Sequence, residues 1–434
     1  MAKKLHITSM GCKVNRADAA REAALAEARG FEVVRDGTAA DLYILNTCTV
    51  TAKSDAEVRQ LVRRMHRANP AARVIVAGCL PRAQGQLGPE FGKYCTFVRE
   101  HDFSDLIEAL DSEAPPDGGH APRPAGTATF ADYTDRVRPF LKVQDGCDSS
   151  CTYCIVPRAR GRSRSVEPEV VAGELAELLD RGYMEVVLTG IHLGVYGRDL
   201  GVRDGLVRLL ERVSTLGAFK RGARLRLSSI EPLELTPALT NYLASAGFVC
   251  RHLHIPLQSG CDRVLRLMNR PYDTARYAEA VERAASGVAG VCMGTDLICG
   301  FPGETPDDHR ATVEAITALP LSYLHAFTFS PRPGTPAASM GGRPQPAETR
   351  RRVGELRGLG EVKRAAFRRS MEGALLRAIV ERPQDDGSFD ALTDNYIRVQ
   401  LHGDGLKTGG MVYIVLDGAG AVKQWSHSGG PDGR

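Results

Sequence analysis

Six short apolar runs constrain the fold of this chain more than any other feature. They are "FLKV" (140–143), "EVVLTG" (185–190), "RLRLSS" (224–229), "HLHIPL" (252–257), "GTDLICG" (294–300) and "HAFTFS" (325–330). Helical patterns separate them, for example over 167–182 and 273–287. Strands alternating with helices predict a parallel sheet, because a parallel connection needs a long crossover, usually helical. Six such units predict a partial (β/α)6 barrel, incomplete against the closed eight-stranded form.

The first hundred residues repeat the alternation. "KLHITSM" (4–10), "FEVV" (31–34), "DLYILN" (41–46) and "RVIVAG" (73–78) read as strands, with helices near 16–29 and 53–68. A separate N-terminal parallel-sheet α/β domain is expected over 1–111. Residues 112–132 have the proline- and glycine-rich composition of a linker. The barrel core is expected over 133–366, ending in a basic amphipathic helix that runs over 346–369. The pattern then changes to "ALLRAIVER", "YIRVQLH" and "MVYIVLD", separated by turn signals such as "DDG" and "GDG". That predicts a small all-β barrel over 367–430, followed by a disordered tail "SGGPDGR". The chain as a whole reads as α/β with an all-β C-terminal module.

The 434 residues suffice for two or three domains, and 43% apolar with 25% charged residues is ordinary for a globular protein. A net charge of +4 gives no whole-molecule argument for an acidic partner, so local clusters must carry it. No apolar stretch approaches transmembrane length, and the N-terminus lacks the apolar run of a signal peptide. A cytoplasmic protein with no membrane partner is expected.

Eleven cysteines in such a protein argue for metal or catalysis before disulfides. Cys147, Cys151 and Cys154 in "DGCDSSCTYC" have C-x3-C-x2-C spacing and follow the first barrel strand, at the mouth where such folds place their chemistry. A structural zinc site wants four ligands, and no second knuckle follows at the needed spacing. A four-iron cluster on three thiolates leaves one iron open to a substrate or cofactor. A second triplet is less obvious. Cys12, Cys48 and Cys79 end the runs "HITSMGC", "YILNTC" and "VIVAGC", separated by 36 and 31 residues, about one βαβ unit each. Parallel strand ends share one sheet edge, where open α/β sheets bind ligands, so these three should converge. The competing reading is three buried apolar cysteines. Cys95, Cys250, Cys261, Cys292 and Cys299 lack this placement and read as core.

The central motif, with Tyr153 before its last cysteine, resembles the radical S-adenosylmethionine signature. The resemblance implies that the methionine amine and carboxylate chelate the open iron and that reductive cleavage gives a 5′-deoxyadenosyl radical. It also implies cofactor contacts at strand ends. Thr189 and Gly190 stand where the superfamily usually has Gly-Gly-Glu, and this chain has no Glu there. Ser228, Ser229 and Glu231 in "RLSSIEP", and Gln258 and Ser259 in "HIPLQSG", offer polar contacts. Gly300 and Gly303 in "CGFPGET" resemble the stretch that approaches the adenine. For each of these the alternative is an ordinary strand-to-helix turn.

"MGCKVN" (10–15), "NTCTVT" (46–51) and "SPRPGTPA" (330–337) extend the resemblance over nearly the whole chain, to the methylthiotransferase family. Within it, "GCKVN" and "RSRS" resemble the branch acting on N6-threonylcarbamoyladenosine at position 37 of tRNA. That resemblance implies two [4Fe–4S] clusters, S-adenosylmethionine as methyl donor and radical source, and a reducing electron donor as partner. It further implies that the N-terminal cluster carries the sulfur and that the C-terminal barrel is of the TRAM type. Alternative substrates are N6-isopentenyladenosine-37 tRNA and an aspartate of a ribosomal protein. A different class remains open as well, a non-catalytic RNA-binding protein with structural zinc.

RNA contacts are expected to be local. Arg158, Arg160, Arg162 and Arg164 alternate past the central triplet, and in an extended segment would share one side, suited to anticodon-loop phosphates. Arg398, with Arg377, Arg382 and Lys407, would serve an RNA-holding C-terminal barrel. Solvated surface is the ordinary reading of both sets.

Overall fold

The computed structural model describes residues 2–35, 37, 40–84, 87–99, 104–113, 133 and 137–427. Residues 114–132 of the expected linker and the expected disordered tail lie outside them. The chain forms two compact units. The first comprises Met1–Asp135, Asp145–Ser163 and Ser330–Ser339, and the second Arg136–Gln144, Arg164–Phe329 and Met340–Arg434.

The first unit is built on a parallel sheet of β1 (Lys4–Ser9), β2 (Glu32–Val33), β3 (Leu42–Thr47), β4 (Arg73–Gly78) and β5 (Cys95–Phe97), in the order β2-β1-β3-β4-β5. Side chains alternate between its faces. Tyr43, Leu45, Val74 and Val76 pack with Val58 and Val62 of helix α2 (Ala52–Ala68). Leu42, Ile44 and Ile75 pack on the other face with Ala26 of α1 (Lys13–Glu27) and with Leu106 and Leu110. Covering both faces explains why β3 is buried along its whole length. Short α3 (Cys79–Gln84) follows β4 directly, and α4 (Ser104–Glu113) takes in the first two residues of the expected linker.

The second unit contains the expected partial barrel. Parallel strands Phe140–Lys142, Glu185–Thr189 and Arg224–Leu227 form one sheet, and His252–His254, Cys292–Cys299 and Tyr323–Thr328 another. A parallel bridge between Leu225 and Val249 joins them, with Cys250 N donating to Leu225 O at 2.7 Å. The six strands therefore run in sequence order, as successive right-handed βα units place them. The helix Pro346–Ser370 buries Val353, Leu356 and Gly360, and a Cβ at Gly360 would lie 3.3 Å from Leu324 of the last barrel strand.

The C-terminal sheet is antiparallel, in the order Arg398–Leu401, Phe389–Thr393, Leu375–Pro383, Met411–Leu416, Val422–Ser426. It curls so far that Trp425 Nε1 donates to His402 O at 2.8 Å, linking its two edges. A buried charge cluster anchors this sheet to the barrel. Glu185 accepts from Arg224 Nε at 2.7 Å and from Arg226 Nε at 2.7 Å. Both guanidinium groups continue onto carbonyls of the C-terminal sheet and its turn, those of Arg377, Leu392, Thr393 and Asp394.

Candidate metal centre

Cys12, Cys48 and Cys79 follow the carboxyl ends of β1, β3 and β4, at one edge of the sheet. Asn15, fully buried on the first turn of α1, ties those ends together. Its Nδ2 donates to Met10 O at 3.2 Å, Asn46 Oδ1 at 2.8 Å and Thr47 O at 2.7 Å. Its Oδ1 accepts from Cys12 Sγ at 3.2 Å and lies 4.0 Å from Cys79 Sγ. Gly11, at φ +109°, admits Cys48 closely: a Cβ there would stand 2.5 Å from Cys48 Cβ. Only a residue without a side chain serves at that point.

Cys48 and Cys79 are buried, while Cys12 keeps an exposed edge. Burial pushes the Cys48 thiol up to about 11, and the neighbouring Cys79 and Cys12 add to the effect. Cys12 is crowded enough by protein for its thiol to rise too, against the pull of Arg160. Such thiols stay protonated at neutral pH until a metal displaces the proton.

The second triplet lies in the same compact unit, in the loop after Asp145. Gly146 has φ +74°, and a Cβ there would lie 1.9 Å from Arg162 O, so this turn requires glycine. Cys147 N donates to Gly161 O at 3.0 Å, closing the loop on itself. Helix α5 (Val156–Arg160) begins two residues past Cys154. Ile155 and Ala159 pack against Cys79 and Ala83 of α3, so the two cysteine-bearing segments lie side by side. Arg160 reinforces that contact from within. It is 0% exposed, and its Nε donates to Cys79 Sγ at 3.2 Å. Nη1 reaches Asp18 Oδ2 at 2.7 Å and Asp145 Oδ2 at 3.1 Å, and Nη2 reaches Asn15 Oδ1 at 2.7 Å.

The donor sets fit iron–sulfur clusters better than single ions. Three thiolates on one tetrahedral zinc stand about 3.8 Å apart, given Zn–S of about 2.3 Å. Each triplet supplies three thiols where a structural zinc takes four ligands. A four-iron cluster, in which each thiolate binds a different iron, holds its ligands wider apart. Sulfurs of both sets accept backbone N–H groups, Cys48 from Val50 at 3.5 Å and Cys147 from Ser149 at 3.4 Å. Such bonds tune cluster potentials.

The strand-end residues expected to contact S-adenosylmethionine lie in the second unit. Thr189 and Ser228 are buried, and Gly190 N donates to Ser228 Oγ at 3.4 Å. Ser229 is exposed. Glu231 is ion-paired to Arg270. Gln258 has φ +72°, uncommon outside glycine. Gly300 is positioned by the protein itself: a Cβ there would meet Thr349 at 2.6 Å, and its N–H donates to Glu304 at 2.5 Å. Gly303 also has positive φ, +81°. Tyr153 is half-buried beside Cys154.

Arg160 corrects one expectation. The segment starts as a helix rather than an extended strand, so the four alternating arginines do not share a side. Arg160 points into the protein, where two carboxylates hold it, and is removed from the RNA-facing set. Arg158, Arg162 and Arg164 are exposed. Arg158 lines a cleft of about 600 Å3 with Arg82, Arg99 and Gln84, a basic surface that the sequence reading missed. Arg398 is exposed and paired with Glu381 at 2.8 Å. Several cations of the long basic helix are bonded within the protein: Arg352 to Glu304, and Lys363 to Leu319 O.

Sequence reading also missed His254, Asp296 and His325, which come from three barrel strands. Asp296 Oδ1 lies 3.1 Å from His254 Nε2 and 3.2 Å from His325 Nδ1. Burial alone would raise the Asp296 carboxyl, but bonds from the two histidines outweigh it and hold the carboxyl well below its ordinary range.

Among the described residues, no helix is long and apolar enough to cross a membrane. Residues 4–94 match the model described as uncharacterized protein family UPF0004, and residues 141–316 match the radical SAM superfamily. The threonylcarbamoyladenosine tRNA methylthiotransferase MtaB of Bacillus subtilis is 33% identical over 424 residues, covering 95% of this chain and 93% of its own. The MtaB of Thermotoga maritima is 32% identical over 409 residues, covering 93% and 92%. A tRNA-2-methylthio-N(6)-dimethylallyladenosine synthase of Moorella thermoacetica is 32% identical over 429 residues, covering 95% and 96%. Among solved structures, the radical S-adenosylmethionine methyltransferase TsrM of Kitasatospora setae superposes with a TM-score of 0.58 at 19% identity, covering 78% of this chain and 75% of its own. That likeness speaks to the fold alone.

Proposed function

This chain belongs to the radical S-adenosylmethionine methylthiotransferase family, and from that premise we propose that it inserts a methylthio group at C2 of N6-threonylcarbamoyladenosine at position 37 of tRNA. Cys147, Cys151 and Cys154 would hold the radical-generating [4Fe–4S] cluster, and Cys12, Cys48 and Cys79 the auxiliary one. When bound, these groups and S-adenosylmethionine supply an adenosyl radical, a methyl group and the sulfur, which an inert aromatic C–H requires. The observation that carries the reading is the joining of two three-cysteine sets in one compact unit, through α3 against α5 and through Arg160. Each set would leave one iron of a four-iron cluster without a protein ligand, as sulfur transfer and cofactor chelation demand.

The protein's own residues divide the remaining work. Asn15 ties the ends of β1 and β3 together. Gly146 and the Cys147–Gly161 bond shape the loop. Thr189, Gly190, Ser228, Ser229, Glu231, Gln258, Gly300 and Gly303 would contact the cofactor, with Glu231 available only through its pair with Arg270. Arg158, Arg162, Arg164 and Arg398 would meet anticodon-loop phosphates, whose negative charge attracts exposed arginine. The functional division we assign is a methylthiotransferase domain at 1–111, a linker at 112–132, a radical core at 133–366 and a TRAM-like module at 367–430. The site of action is cytoplasmic, with a reducing electron donor as second partner.

A second reading keeps the chemistry and changes the base to N6-isopentenyladenosine, favoured by the 32% identity to the dimethylallyladenosine enzyme. Mass spectrometry of tRNA nucleosides from a deletion strain separates the two. Loss of the methylthio group from threonylcarbamoyladenosine is expected. Its retention, with loss from isopentenyladenosine instead, would replace the first reading by the second.

A further inference from the structure

Arg160 sits where charge is costly, yet it is fully enclosed and all three of its nitrogens are bonded. Its partners come from three segments: Asn15 and Asp18 of α1, Cys79 after β4, and Asp145 ahead of the central triplet. Two carboxylates already compensate the guanidinium, so the bond to sulfur is not needed to neutralise it. Geometry assigns that bond instead. The fork places Nη1 between Asp18 and Asp145, which aims Nε at Cys79.

We propose that Arg160 is a positioning residue that sets the electron affinity of the cluster held by Cys12, Cys48 and Cys79, and ties it to the loop of the other cluster. A positive N–H donor on a ligand sulfur stabilises the more negative, reduced state of a cluster and so raises its potential. Because Asp145 holds the same guanidinium, the donor's aim depends on the loop that carries Cys147. Lysine is not equivalent. Its single ammonium can remain between Asp18 and Asp145, but it has no second nitrogen in a fixed plane to reach the sulfur.

The inference rests on the auxiliary-cluster reading, and a protein with Cys147, Cys151 and Cys154 all changed to Ala separates the two. If this protein retains no four-iron cluster after anaerobic reconstitution, that reading fails, and the role of Arg160 with it. If the cluster is retained, Arg160→Lys is added and the midpoint potential is followed by electron paramagnetic resonance. The expected result is unchanged iron and sulfide with a lower potential. Equal potentials at equal cluster content overturn the role of Arg160 alone. A measurement without that substitution guards against a variant that does not load. With 15N-labelled arginine and Arg160 intact, the reduced auxiliary cluster should show a 15N hyperfine coupling. Absence of that coupling also overturns the proposal.

Discussion

Replacing Glu185 by Gln removes the one carboxylate that Arg224 and Arg226 share inside the second unit. Glu185 and Arg224 side chains are 0% exposed, and Arg226 is 2% exposed. Arg138 adds a third guanidinium at 3.4 Å. Burial alone would raise the Glu185 carboxyl, but Arg226 and Arg224 override it and hold the group far below its ordinary range. Removing one partner of a buried ion pair costs about 3–5 kcal/mol, because the remaining charge is left uncompensated. At a urea slope of about 3 kcal/mol/M or more, the top of the small-protein range and rising with size, the unfolding midpoint should fall by about 1 M. The single tryptophan, Trp425, lies in the sheet these arginines anchor, so its fluorescence reports the transition. The folded pKa is depressed, so the stabilisation is complete above the unfolded value of about 4.3. It fades as pH falls toward the folded value, and the gap between wild type and variant should narrow only in acid. Glu169→Gln, which breaks the exposed pair with Arg212, is the control and should move the midpoint little. If Glu185→Gln moves it no further than this control, the anchoring argument is wrong.

Other consequences can be measured separately. Alanine at Cys147, Cys151 or Cys154 should abolish 5′-deoxyadenosine release. Alanine at Cys12, Cys48 or Cys79 should spare that release and stop methylthio transfer; equal loss in both sets would refute the division of roles. Gly146→Ala drives a Cβ into Arg162 O, so the reconstituted protein should hold about four irons rather than about eight. Full iron content would show that the loop tolerates the change. Burial, with Asp18 adding to it, pushes the Glu22 carboxyl up to about 8. A raised carboxyl favours the fold at low pH and loses that contribution as pH climbs from about 4.3 toward 8. Glu22→Gln keeps an acceptor for Asn46 Nδ2, so its melting temperature relative to wild type should rise across that window. A difference independent of pH would count against the assignment.

The parts of this protein that follow local rules were legible in its sequence. Short apolar runs separated by helical patterns specify the parallel strands, and a cysteine just past each of three such runs must reach the same sheet edge. Arg160 was misread because alternation alone cannot tell an extended segment from the short helix α5, and its partners lie up to 145 residues away. Arg224 and Arg226 were hidden in "RLRLSS" for a related reason. Leu225 faces one way and the two arginines the other, a pattern normally meaning solvent, whereas here Glu185 and the C-terminal sheet cover them. The His254, Asp296 and His325 set draws one residue from each of three strands, so no local motif announces it. The packing of Asp145–Ser163 with the N-terminal unit was equally invisible, since it depends on α3 meeting α5 across 70 or more residues of chain.

The most direct test of the central claim is product analysis on purified, anaerobically reconstituted protein. It would be given S-adenosylmethionine, a reductant and tRNA carrying N6-threonylcarbamoyladenosine, beside a parallel tRNA carrying N6-isopentenyladenosine. The account predicts a methylthio group at C2 of the threonylcarbamoyl base, with 5′-deoxyadenosine and S-adenosylhomocysteine released. Both bases left unmodified by a protein loaded with both clusters would contradict it.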